Sequence, residues 1–588
     1  MSEFIDYSKK IVTNFLQTVV IIDDEAFLDE GLYTQYTELY SKYTECTEKL
    51  DSSGLPSTMG RGVSPEGSQS DPENDPPHFL NAKTLSDTFA DYGLMCTALR
   101  PIDGNINLYK KVLKKADIVI LDWKLKTGEA DGATVKGLIK EIIKDTDGNT
   151  QKALRNIVIY SGEEALIEKL VLVKNDLETS LGMIPSKAEN FLLEYEKLQI
   201  KIYAKEATRR TTTTEEREIL KSEEDLAKSI IDDFVTQVAG LVPNMAIASL
   251  TQIRNNTHKI LGVFSKELDA AYLSHRALLP NTLDAESFIL DIFISELQSI
   301  LEDSEIVNSV INIEQIMSWI NHEFDEERLR IFFFNGAYDL SDEAKNNIIK
   351  QKLGLRNDNW DGDIESIQNS VLSKKEKLYE VIRKILEKGF EKIKCQFLKG
   401  KDEQGKDLEP RHFTKYLYSN PENALQMEEK LSILSSMQTK YTKPLPYMTL
   451  GTVIKDQTTS CYFLCIVPRC DAARVGSGNT SFLFLPLTLD DEHFELIVQD
   501  DNHKKFSIEY KIKKLITINL KKTTGNNITP LKAQEEDSNY IFVDENDRKY
   551  KWIADVKRDK AQAISNKFAA QLSRVGFNES EYLRRAYQ

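Results

Sequence analysis

Apolar runs closed by polar residues constrain this chain more than any other feature. Residues 18–22 (TVVII) run into Asp23, Asp24 and Glu25, and residues 118–121 (IVIL) run into Asp122. Residues 156–160 (NIVIY) run into Ser161, and residues 198–204 (LQIKIYA) into Lys205. A weaker run occupies 94–99. Uninterrupted β-branched runs suit strands buried on both faces, as in a parallel sheet covered by helices. Amphipathic stretches lie between them, at 82–92, 107–115, 133–143 and 164–173. A further helical insertion is expected through 196, and a helix opens at Ser222, with Pro243 as its stop. Strands alternating with helices imply a doubly wound α/β domain over residues 1–242, with five parallel strands. In such sheets ligands sit beyond the carboxyl ends of the strands, which is where these polar residues fall.

The alternation is broken at 29–80. Leu32, Tyr36, Leu39, Tyr43, Cys46 and Leu50 repeat at helical spacing and predict a helix packed on the domain or a partner. Residues 52–77 are rich in Gly, Ser, Pro and acids and predict a mobile loop. The insertion begins directly after the acidic pair.

The ordered set Asp23, Asp24, Asp122, Ser161 and Lys205, with D-W-x-L at 122–125 and D-G at 131–132, resembles the receiver domain of two-component response regulators. That resemblance implies a site for Mg²⁺ ligated by Asp24, Asp122 and the backbone carbonyl of Lys124, with Asp23 direct or through water. It implies Asp122 as phosphoacceptor from a phosphohistidine donor, with Ser161 and Lys205 binding the phosphoryl group. Four departures accompany it. Glu206 stands where Pro is common, and Ile202 where an aromatic switch residue is common, with Tyr203 one position away. Lys126 stands where Pro is frequent, and the insertion lies at the mouth of the site. A receiver fold that no longer turns over phosphate, serving as a dimerisation or docking module for a kinase-like ATPase or a nucleic-acid-processing partner, is the competing expectation.

Residues 243–441 read as helical, with a stripe at Leu378, Val381, Ile382, Ile385, Leu386, Phe390 and Ile393. His258, His275 and His322 have no partner at metal-ligand spacing and read as ordinary polar or core residues. From 446 to 555 the texture is β: short runs at 448–454, 461–467, 481–487, 494–498, 506–512, 515–520 and 540–543 predict a small barrel or sandwich. Within it lies CYFLCIVPRCDAAR. Cys465 and Cys470, with Asp471 and with Arg474 available to lower a thiolate pKa, are a candidate thiol site. The plainer reading is two strand cysteines and a turn. Residues 556–588 predict C-terminal helices.

RNNTHKIL, LCIVPRCDAAR and RVGFNESEYLRR, following a receiver, look like large bacterial proteins of conflict or antiphage operons that lie beside an ATPase of histidine-kinase type. The resemblance implies such an ATPase as partner, with a homo-oligomer as a further option. The net charge of −17 disfavours a broad nucleic-acid surface, though not a local basic patch. Six cysteines in 588 residues suggest no disulfide framework, and the N-terminus reads as a helix and strand, so a cytoplasmic protein is expected. The longest uncharged stretch, 235–253, contains Gln237, Pro243, Asn244 and Gln252, so no membrane span is expected.

Overall fold

The structure, a computed structural model, describes residues 2–27, 79–101, 106–125, 131–144, 154–206, 215–279, 284–323, 421–440, 445–522 and 529–572, apart from 197, 477 and 538. A few positions within 29–38 and 383–387 are also described. The expected helix and loop of the insertion, Lys126, the stripe at 378–393 and the end of the chain from 573 lie otherwise outside the described residues. The chain forms two compact units, Met1–Phe264 with Ile294–Glu323, and Ser265–Phe293 with Phe324–Gln588.

The first unit begins with α1 (Glu3–Phe15), β1 (Thr18–Ile22) and β2 (Ala26–Phe27). After the insertion come β3 (Leu80–Asn81), α2 (Ala82–Asp91), β4 (Met95–Leu99), α3 (Ile106–Leu113), β5 (Ile118–Leu121), α4 (Ala133–Ile143), β6 (Arg155–Ser161) and α5 (Leu166–Leu181). Then follow β7 (Lys187–Glu189), β8 (Leu192–Tyr195), β9 (Leu198–Lys205), β10 (Leu220–Lys221), α6 (Glu223–Val238), α7 (Leu241–Asn255) and α8 (Thr257–Val263). Among the described residues, helices α9 (Asp269–Leu278), α10 (Asp284–Asp303), α11 (Ile306–Val310) and α12 (Ile313–Glu323) follow.

The parallel strands run β4-β1-β5-β6-β9. Counted in chain order this is 2-1-3-4-5, with the order reversing between β1 and β5. Every residue of β5 is buried, as are Asn156–Ser161 of β6. Both faces of these strands are therefore covered, which is why their sequence shows no alternation. Helices α1, α2 and α6 pack together as one group, and α3, α4 and α5 as another. Ser2, Asn81 and Ser222 cap α1, α2 and α6 by accepting a backbone N–H with their side chains.

Two local expectations need correction. The insertion before β9 is not helical throughout. Gly182 adopts a left-handed φ of 64° and ends α5, and Pro185 follows two residues after Met183. Residues 187–195 then form the antiparallel hairpin β7–β8, which pairs with the outer edge of β9. Burial of Leu193 and Tyr195 against exposed or half-buried neighbours gives the two-residue period that a helical reading overlooks. Pro243 does not stop α6, which ends at Val238. It sits in the first turn of α7, where its missing N–H costs no helical bond. No single described helix is long and apolar enough to cross a membrane. Helices α6 and α7 meet the length and composition test only jointly, across a 116° bend.

In the second unit α13 (Pro421–Ser436) precedes β11 (Thr452–Asp456), β12 (Tyr462–Cys465), α14 (Arg469–Ala472), β13 (Gly478–Leu489), β14 (Leu496–Gln499) and β15 (His503–Ile508). Strands β16 (Ile516–Lys522), β17 (Gln534–Glu536), β18 (Asn539–Val543), β19 (Lys549–Asp555) and helix α15 (Arg558–Leu572) follow. The nine strands form one antiparallel sheet, ordered β14-β15-β13-β12-β11-β19-β18-β17, with β16 beside β13. An isolated bridge between Leu520 and Asp544 links β16 to the residue after β18. Strand β19 is absent from the sequence reading because KYKWIAD puts lysines on alternate positions. Only Tyr550, Ile553 and Asp555 are buried in it.

Candidate metal and phosphoryl site

The strand order sets the site. Strands β1 and β5 are neighbours at the reversal, so Asp23 and Asp24 emerge beside Asp122. Asp23 is 1 % exposed and Asp122 4 %, while Asp24 is half-buried. Carboxylate oxygens of the three lie within 4.8 Å of one another, which makes them the one cluster of potential metal ligands among the described residues. Lys124 follows on the same strand end and is exposed. Lys205, at the end of β9, is 2 % exposed. Its Nζ lies 2.7 Å from Asp23 Oδ2 and 3.1 Å from Asp122 Oδ2. Asp122 Oδ1 accepts the Trp123 N–H at 2.7 Å, and Asp23 Oδ1 accepts the Glu25 N–H at 2.8 Å. Ser161 is fully buried at the end of β6 on the same edge, in register with Ala204, and its Oγ accepts the Glu163 N–H at 3.4 Å.

Burial drives the electrostatics. It pushes Asp23 up to about 6, opposed by Lys205 and assisted by Asp122. It pushes Asp24 up to about 7, with Asp122, Asp23 and Glu25 adding repulsion. Burial opposes the charge on Lys205, but Asp122 and Asp23 outweigh it and raise its pKa. The site thus gathers three carboxylates against one ammonium, with two negative charges still to be balanced by protons or a cation.

A further layer surrounds Asp122. Gly132 has φ +61°, and a Cβ there would meet the Trp123 ring at 2.3 Å. The D-W…D-G spacing therefore serves packing: Trp123 folds over Gly132 and donates its Nε1–H to Asp131 at 2.6 Å. Lys169, from α5, lies 5.5 Å from the Trp123 ring centroid, 3.5 Å from Glu163 and 3.7 Å from Asp131. Lys169 and Glu163 were not singled out in the sequence. The available signal was only that they flank the start of the helix after Ser161.

Residues 15–210 match the family model of the response receiver domain. This segment is a receiver domain. The match covers the strand ends carrying all five polar positions, and a receiver domain implies a signalling or regulatory role. No curated protein matches the chain.

Within the receiver, the residues around the expected switch are tied down. Ile202 is fully buried. Tyr203 is 3 % exposed and donates its hydroxyl to Asp233 Oδ2 of α6 at 2.5 Å, while Lys201 pairs with Asp233 Oδ1 at 2.6 Å. Glu206 is exposed. The insertion is pinned at its base: β2 pairs with β3, and Phe27 meets Phe79 edge to face at 5.4 Å.

The thiol candidates are not a shared reactive site. Cys465 is fully buried among Ile454, Phe482 and Phe484, and burial pushes its thiol up to about 12. That is the environment of an inert thiol. Cys470 is exposed, with Sγ 3.4 Å from Asp471 Oδ1. Arg474 turns instead to Asp284, at 2.7 Å.

Proposed function

We propose that this chain is a phospho-accepting regulator, in which Asp122 receives a phosphoryl group and the charged product governs the rest of the chain. The observation that carries this reading is the buried Lys205 ammonium between Asp23 and Asp122, with Asp24 beside them. An all-oxygen cluster in which Asp23 and Asp24 are pushed toward neutrality fits a hard divalent cation. Asp24, Asp122 and the Lys124 backbone carbonyl would hold Mg²⁺, with Asp23 direct or through water. Bound there, it supplies positive charge near the transferring oxygens.

The chain's own residues do the remaining work. A carboxylate oxygen of Asp122 attacks the phosphorus of a phosphohistidine. The O–P bond forms as the P–N bond breaks, and the imidazole leaves with the bonding pair. Lys205, already against Asp122, shifts its ammonium to a phosphoryl oxygen and offsets the charge there. Ser161 donates its hydroxyl to another oxygen. The product adds nearly two negative charges at one strand end. The motifs at 254–261, 464–474 and 574–585 support a bacterial defence setting, with a histidine-kinase-type ATPase as donor or docking partner.

A second reading, a silent receiver acting as a scaffold for such an ATPase or for a nucleic-acid-processing partner, is favoured by two features. Tyr203 is held by Asp233, and hairpin β7–β8 covers the edge of β9. Beryllium fluoride with Mg²⁺ separates the two. A phospho-accepting receiver binds it as a phosphoryl mimic, binding is lost in Asp122→Asn, and that variant fails in cells. Absence of Mg²⁺-dependent binding, with a fully functional Asp122→Asn protein, would leave the scaffold.

A further inference from the structure

A second group of charges is built on the antiparallel sheet. In register across it, Lys551 of β19 faces Lys455 of β11, which faces Tyr462 of β12. Like charges directly opposite one another on a sheet repel. The carboxylate of Asp500, in the turn between β14 and β15, lies among them with its side chain 3 % exposed. It accepts the Tyr462 hydroxyl at 2.7 Å and meets Lys504 at 3.1 Å, Lys455 at 3.3 Å and Lys551 at 3.9 Å. Lys504 Nζ also donates to the Tyr462 oxygen at 2.6 Å. Beside this group, Glu429 of α13 holds His503 at 2.7 Å and Lys505 at 2.9 Å.

One ammonium would neutralise Asp500, yet three converge on it. Their side chains keep 22–31 % of their exposure, so their charge is open to solvent. Asp500 and Tyr462, 4 % exposed, are the buried frame that holds these ammoniums together. In a chain of net charge −17, a fixed local excess of two positive charges is the opposite of the general surface. Fixed ammoniums around one point match a compact, multiply charged anion, since ordering costs are met before the ligand arrives. With Tyr462 buried, its ring is not available for stacking on a base, which favours recognition of the phosphate itself.

We propose that Lys455, Lys504 and Lys551 form a site for a phosphate-bearing ligand, seated over the Asp500–Tyr462 pair. The test is calorimetric titration of the full chain with pyrophosphate at low salt, and separately with a single-stranded oligonucleotide. Pyrophosphate should bind saturably, and Lys551→Gln should weaken it about tenfold, as expected for one charge-assisted contact. Lys551→Gln is chosen because its contact with Asp500 is the longest, and Lys504→Gln replaces it if the urea midpoint falls. Lys521→Gln, which removes an exposed pairing with Asp547, should bind like the parent. Oligonucleotide binding weakened by the same substitution would make a nucleic-acid backbone the source of the phosphate. Its absence beside pyrophosphate binding would indicate a small ligand. No saturable pyrophosphate binding, or binding by Lys551→Gln (or by Lys504→Gln where it replaces it) equal to that of the parent, would overturn the proposal.

Discussion

Gly132 lies under the indole of Trp123 so closely that a single added methyl would fall 2.3 Å from the ring. Its φ of +61° is also one that L side chains rarely adopt. This contact holds Trp123, which follows the phosphoacceptor candidate Asp122 directly and whose N–H is bonded to Asp122 Oδ1. Gly132→Ala should therefore destabilise the first unit by about 1–3 kcal/mol, combining overpacking with backbone strain. Urea denaturation followed by tryptophan fluorescence measures this, and an unchanged midpoint would contradict the packing role.

The acidic pair makes metal-free stability fall with rising pH. Asp23 and Asp24 are raised to about 6 and about 7, against about 3.9 for an exposed aspartate. Between these values the folded chain binds more protons than the unfolded chain, so the free energy of unfolding decreases as pH rises. Denaturation midpoints should drop from about pH 5 to about pH 8 in chelator, and the drop should shrink in Asp24→Asn. Mg²⁺ should raise the midpoint more at the higher pH, where the carboxylates have lost their protons. Identical pH profiles for the parent and Asp24→Asn would contradict this account.

Tyr203→Phe removes one hydrogen bond to Asp233 while leaving the Lys201 ion pair. The expected loss is about 1–2 kcal/mol of stability. The response of the chain to beryllium fluoride should persist, because Tyr203 is anchored to α6 and is not free to follow Ser161. A variant of normal stability with its response abolished would restore Tyr203 to a switching role.

Thiol labelling distinguishes the two cysteines of the LCIVPRC stretch. Cys470 is exposed, and Cys465 is buried with its thiol pushed up to about 12. Alkylation of the native protein followed by peptide mass spectrometry should modify Cys470 rapidly and Cys465 only after denaturation. Equal rates would show that the sheet opens readily there.

The site was legible in the sequence because buried parallel strands write themselves as apolar runs, and a polar residue at the end of one stands out. That logic reached Asp23, Asp24, Asp122, Ser161 and Lys205, and the strand order brings the three aspartates and Lys205 together. It did not reach Lys169, which lies on a helix face whose partner, Trp123, is more than 40 positions earlier. Hairpin β7–β8 was hidden by short, charged strands that borrow their order from β9. In the second unit, Lys455, Lys504 and Lys551 look like ordinary solvated lysines in sequence. Only the register across three strands and the turn at Asp500 reveal their convergence.

Phosphoryl transfer to Asp122 is the step on which the proposed regulation depends. Intact-mass spectrometry after incubation with acetyl phosphate and Mg²⁺ tests it most directly. One phosphoryl adduct is expected on the parent chain, dependent on Mg²⁺ and absent from Asp122→Asn. No adduct on the parent, or the same adduct on Asp122→Asn, would contradict it.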